Sequence, residues 1–155
     1  MDIPLHLHPM LVHFPIALLI TSVLFDAVGA AFKRDGLREG ALWLLVLGFL
    51  GGIGSVVSGV MVEEIAEKAG IAEALIERHE TWAFVTMGIF GLLLVGRLFL
   101  RNQFARATMT AYFVVAAIGL GTLSVTGYFG GNLVYEHGAG VRQAAQSLPP
   151  TGSVR

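Results

Sequence analysis

The sequence predicts an all-α integral membrane protein, a four-transmembrane-helix bundle built from two helical hairpins. Three observations predict it. Apolar residues make up 55% of the 155-residue chain and charged residues only 14%, against about 45–50% and about 25% in soluble domains. Four stretches each hold the roughly 20 mostly apolar residues that a bilayer crossing requires. The charges that do occur collect in the connections between those stretches. Residues 1–146 read as a single domain. The tail over 147–155, with Pro149, Pro150 and Gly152 and no apolar period, reads as disordered.

The first span covers Leu11–Phe32, and the segment FKRDGLREG turns the chain at Gly36 into the second span, Ala41–Val62. The connection EEIAEKAGIAEALIER follows, with Ile65, Ala69, Ala72, Leu75 and Ile76 at roughly helical spacing. That pattern predicts a short amphipathic helix lying in the interface between spans two and three. The third span covers Thr81–Leu100, the basic connection RLFLRNQFAR follows, and the fourth span is Thr108–Phe129. The residues before the first span, MDIPLHLH, carry no Lys or Arg, and the apolar run is too long for a cleaved signal peptide.

Composition excludes several functions. A net charge of −1 gives no basic face for nucleic acid. Without cysteine there is no disulfide, no thiolate metal site and no CxxCH attachment for covalent haem. Serine-nucleophile arrangements, P-loops and dinucleotide fingerprints are absent, which points to a cofactor-binding or electron-transfer protein rather than an enzyme. Lys33, Arg34, Arg38, Arg97, Arg101 and Arg106 flank the two short connections, whereas Glu63, Glu64, Glu67, Glu73, Glu77, Glu80 and Glu136 lie on the opposite side. The positive-inside rule then places the basic connections in the cytoplasm of a bacterial inner membrane and both termini in the periplasm.

This topology gathers every histidine at one membrane face. His6, His8 and His13 precede or begin span one, His79 begins span three and His137 follows span four. Imidazoles tolerate interfaces, so a purely interfacial role is one reading. Ionisable groups at the membrane edge of bundled helices give the other, a functional site. A weak repeat favours it: GIGSVVSG (Gly52–Gly59) resembles GLGTLSVTG (Gly119–Gly127), and at nearly the same offset His13 maps onto His79. Haem b held axially by His13 and His79 is the leading expectation, with His8 and His137 as a second pair or as propionate partners. The alternatives are Zn or Cu on His8, His13, His79 and His137, with Glu80 or Glu136 nearby, and a structural membrane anchor for a redox partner; a proton relay is a further use of the imidazoles.

The glycines at 52, 54, 59, 119, 121 and 127 let a flat macrocycle approach the backbone or serve close helix packing. The same faces suit a homodimer. Asp26, inside span one, is expected to pair with Arg97 or Arg101, because an unpaired carboxylate there is costly. Trp43 and Trp82 read as interface anchors. The expected partners are the lipid bilayer and either a periplasmic redox protein or the quinone pool.

Two stretches, HPMLVHFPIAL near the start and GGNLVYEHGAGV near the end, resemble the signatures of a bacterial membrane family, domain of unknown function 2231. The resemblance marks His8, Pro9, His13, Pro15, Gly131, Tyr135, His137, Gly138, Gly140 and Val141. It implies a four-span plan and adds Tyr135 to the cofactor-binding candidates. Members joined to Rieske-type redox modules imply an electron-transfer setting. EHGAGV is expected to wrap tightly and return His137 over the mouth of the bundle. The prolines flanking His13 are expected to fix the entry of span one, with Pro15 in its first turn.

Overall fold

Long apolar runs with few helix breakers leave the backbone one way to satisfy itself in lipid, the continuous helix. The structure, a computed structural model, describes residues 7–100 and 106–139. They form four helices, α1 (Leu7–Ala31), α2 (Asp35–Lys68), α3 (Glu73–Leu100) and α4 (Arg106–Tyr135). Each is long and apolar enough to cross a membrane; the protein is a multi-pass membrane four-helix bundle. Its most extensive contacts are α1 with α2 and α3 with α4; α2 meets α3 less extensively and α1 meets α4 lightly. Two hairpins therefore pack side by side, with α1 diagonal to α3. The 147–155 tail lies outside the described residues.

Two expectations about the elements are corrected. No separate interfacial helix forms: Glu63–Lys68 continues α2, and Glu73–Arg78 is the first part of α3. The apolar spacing was real, but it belongs to the ends of two long helices. At 34 residues, α2 is about 51 Å long at 1.5 Å per residue, well beyond the roughly 30 Å hydrocarbon core. It stops in a Schellman motif. Gly70 takes φ +86, with Gly70 N–H donating to the Glu67 carbonyl and Ile71 N–H to the Ala66 carbonyl. Likewise Pro15 is not in a first turn. Helix α1 begins at Leu7, so Pro15 sits inside it and removes one backbone donor there.

The first hairpin turns at Lys33, whose φ of +51 is the left-handed conformation that usually needs glycine. Arg34 N–H caps the Gly29 carbonyl at 2.9 Å. A Cβ on Gly29 would lie 2.7 Å from Arg38 Cγ, so this tight crossing needs a glycine.

The core is a narrow seam of Leu19, Val23, Leu45, Phe90, Leu93, Tyr112, Ala116 and Leu123. Large apolar side chains such as Leu24, Leu47, Leu92, Phe99 and Ile118 point outward, as expected where the solvent is lipid. Hydroxyls tie the helices across the seam. Ser22 donates to the Ala41 carbonyl at 2.8 Å. Thr86 and Thr126 bond at 3.0 Å; since Thr126 donates its hydrogen to Thr122, Thr86 is the donor.

The glycine contacts within the two hairpins recur in a register 71 residues apart. Gly48 faces Leu18 and Leu19, and Gly119 faces Ile89 and Phe90. Each member of the first set corresponds to one of the second at that spacing. This corrects the repeat read from the glycine runs, which paired His13 with His79. The structural equivalent of His79 is His8, and that of His13 is Phe84.

Candidate functional site

Near the N-terminal ends of α1 and α3, two imidazoles meet across the diagonal of the bundle. The ring centroids of His8 and His79 are 6.5 Å apart with their planes at 80°. Each ring is seated on the other helix of its own hairpin. The three nearest neighbours of a Cβ built on Gly59 are all atoms of the His8 ring, Cε1 at 3.2 Å; on Gly130 they are all atoms of His79, Cε1 at 3.0 Å. Glycine at both positions admits the imidazole edge against the helix backbone, a role distinct from the macrocycle approach read for the glycine runs.

The hydrogen bonds decide which nitrogen of each ring is protonated when neutral. His79 Nδ1 lies 3.1 Å from the Thr126 carbonyl, which only accepts, so Nδ1 carries the hydrogen. His8 Nδ1 lies 2.8 Å from Ser58 Oγ. The Ser58 hydroxyl spends its one hydrogen on the Ser55 carbonyl at 2.8 Å, so here too Nδ1 donates. Both rings thus keep an unprotonated Nε2, the nitrogen that can bind a metal. Ser55 and Thr126, whose carbonyls end the two chains, are themselves 71 residues apart.

Beside the rings lies a half-open cavity of about 100 Å³, with His8, Glu63, His79 and Glu80 as its ionisable lining residues. Val62, Ile71, Ile76, Leu133 and Val134 form apolar wall, and Ala139 closes over it. The turn that carries Ala139 follows from Gly138 at φ +74; Gly138 N–H caps Val134 and Ala139 N–H caps Leu133.

Among the residues expected from sequence, His8 and His79 come together and three others do not. His13 is exposed, its Nδ1 donating to the Pro9 carbonyl at 2.6 Å within its own helix, so His13 is not the partner of His79. The reason is helical phase: His13 stands five residues beyond His8, on the other side of α1. His137 is half-buried in the turn after α4 but does not line the cavity. Tyr135 is 90% exposed and also lies outside it. Among the described residues no three His, Asp or Glu side chains converge to hold a metal ion. The neighbours of the two rings that sequence reasoning missed are Ser58, Thr126 and Gly130. For Thr126 and Gly130 the signal was the recurrence of Gly48, Ser55 and Gly59 as Gly119, Thr126 and Gly130.

At the far end of the same helices Asp26 meets Arg97, Oδ1 to Nη2 at 2.7 Å. Tyr112 donates to Asp26 Oδ2 at 2.6 Å, and Arg97 also donates to the Arg38 carbonyl at 2.6 Å. The expected Asp26–Arg97 pairing is therefore present and buried.

A family model described as Predicted membrane protein (DUF2231) matches residues 4–143 of the chain. No curated protein and no solved structure matches it.

Proposed function

The chain belongs to that family of predicted membrane proteins, and we propose that it is a b-type cytochrome-like electron-transfer protein binding haem through His8 and His79. The observation that carries this reading is the isolated imidazole pair. Metal–imidazole bonds of about 2.0–2.1 Å place two rings flanking one ion with centroids roughly 6 Å apart, close to the 6.5 Å between His8 and His79. Two protein donors suffice for haem iron, whose other four ligands are its own. A structural zinc would ask the protein for four, and no set of even three is found among the described residues. When bound, the haem supplies a one-electron couple.

The chain's own residues would do the rest. His8 and His79 present Nε2, Ser58 and Thr126 hold the rings in that tautomer, and the apolar wall limits water. Lys33, Arg34 and Arg38 lie at the opposite end of the bundle, so the positive-inside rule puts the histidine end in the periplasm of a bacterial inner membrane. There it would exchange electrons with a periplasmic redox protein or with quinone in the bilayer.

A second reading, a single Cu or Zn ion, is favoured by one specific observation. The cavity of about 100 Å³ has Glu63 and Glu80 at its wall, a volume suited to an ion or a few waters. A macrocycle requires the helix ends to part. Spectra of the detergent-purified protein, expressed with ample haem and taken air-oxidised and dithionite-reduced, decide between them. A Soret band with sharp reduced α and β bands, lost in His8→Ala and in His79→Ala and kept in His13→Ala, supports the cytochrome. A colourless folded protein sinks it, and elemental analysis for Cu and Zn on the same sample then tests the second reading.

A further inference from the structure

We propose that Gly59 and Gly130 are positioning residues: each seats one imidazole of a two-part site so that its Nε2, and not its Nδ1, is the ligating atom. The half-site is the same in both hairpins. An imidazole from the first helix lies edge-on against a glycine of the second, and its Nδ1–H chain ends on the carbonyl four residues before that glycine. In the first hairpin these are His8, Gly59 and Ser55, with the Ser58 hydroxyl inserted as a relay. In the second they are His79, Gly130 and Thr126, with a direct bond.

What singles out these two glycines is what they face. Gly48 and Gly119 face the Leu18–Leu19 and Ile89–Phe90 seams, and Gly52 faces Met87. Gly54 and Gly127 have nothing within 4 Å. Among the described glycines compared, Gly59 and Gly130 alone have atoms of an imidazole as all three nearest neighbours. A methyl at 3.0–3.2 Å from Cε1 is closer than carbon–carbon contact of about 3.5–4.0 Å allows. The ring must therefore shift, and a shift stretches the Nδ1 bond that fixes its tautomer. Second-shell partners of this kind typically change metal affinity about 10–100-fold.

The identity of the bound group rests on the cytochrome reading, but the tautomers do not, so the test separates the two. Protein labelled with ¹⁵N-histidine and free of haem is examined by NMR in detergent, at a pH where the rings are neutral. The expected result is Nδ1–H with a lone pair on Nε2 for both His8 and His79; finding Nε2–H at either ring overturns the proposal on the wild-type chain alone. Gly130→Ala is expected to alter the His79 pattern and leave His8 unchanged, and Gly59→Ala to do the converse. Gly127→Ala and Gly54→Ala are expected to change neither ring. Titration with haem should then show affinity about 10–100-fold weaker for the two seat variants and unchanged for the two controls. If the seat variants keep both tautomer patterns, or disturb both rings alike, the glycines are packing residues and the proposal fails. If the tautomers hold and no haem binds to any variant, the cytochrome reading falls while the positioning role stands.

Discussion

Asp26 and Arg97, 2.7 Å apart, stand in the same relation to the two hairpins as His8 and His79, each member 71 residues from its partner. Both pairs join α1 to α3 across the diagonal. Eighteen residues separate the two sites along each helix, about 27 Å at 1.5 Å per residue, close to the hydrocarbon thickness. A pseudo-twofold axis along the membrane normal therefore passes between an imidazole pair at one face and an acid–base pair at the other. Like residues meet at the first site. Opposite charges meet at the second, where two like charges would repel in a medium of low dielectric.

Removing the acid should be costly. Asp26 is 1% and Arg97 2% exposed, and breaking a buried pair by deleting one partner typically costs about 3–5 kcal/mol. Asp26→Asn is expected to lose stability of that order, measured as a shift in the unfolding midpoint in detergent. Replacing Asp26 and Arg97 by Leu and Met together with Tyr112→Phe should recover most of the loss, since a fully apolar substitute removes the desolvation cost as well. A triple variant no more stable than Asp26→Asn would show that the pair itself holds the helices together.

Tyr112 can be weighed separately. Its hydroxyl donates to a buried carboxylate at 2.6 Å, and hydrogen bonds to charged groups contribute about 1.5–3 kcal/mol. Tyr112→Phe should destabilise by that amount in a wild-type background and by much less in Asp26→Leu. Equal losses in the two backgrounds would mean the phenol acts through packing instead.

The contact between the hairpins has its own probe. A Cβ on Gly52 would sit 2.5 Å from Met87 Sδ; because the flexible end of Met87 can swing aside, Gly52→Ala is expected to cost about 1 kcal/mol, the low end of overpacking. Met87→Ala should relieve most of it, because a shortened side chain vacates the space the new methyl needs. A double-mutant cycle on unfolding reads the coupling directly, and an interaction energy near zero would contradict the seam.

His13 supplies the sharpest control on the site. It lies in the most conspicuous motif of the sequence, yet its ring is exposed and bonded within α1. His13→Ala should therefore leave any bound cofactor's spectrum and affinity unchanged, while His8→Ala abolishes it. Loss of the spectrum in both variants would place the ligand elsewhere than the His8–His79 cavity.

The sequence by itself determined the four spans, the two-hairpin plan and the gathering of histidines at one end. Those features depend on local hydropathy and on the parity of crossings, and both are written along the chain. It also pointed to Arg97 or Arg101 as a partner for Asp26, because a lone buried carboxylate needs a counter-charge, and the fold selects Arg97. Only the tertiary structure decided which imidazoles meet. The span beginning at Leu11 was too short by one turn, since α1 starts at Leu7, and so His13 read as the first residue with access to the bundle. Which side chain faces inward is a matter of helical phase, and a uniformly apolar membrane helix carries little phase information because lipid and core are both hydrophobic. For the same reason the glycine runs align several residues out of register along the sequence, and the true register lies in the contacts of Gly48, Gly59, Gly119 and Gly130.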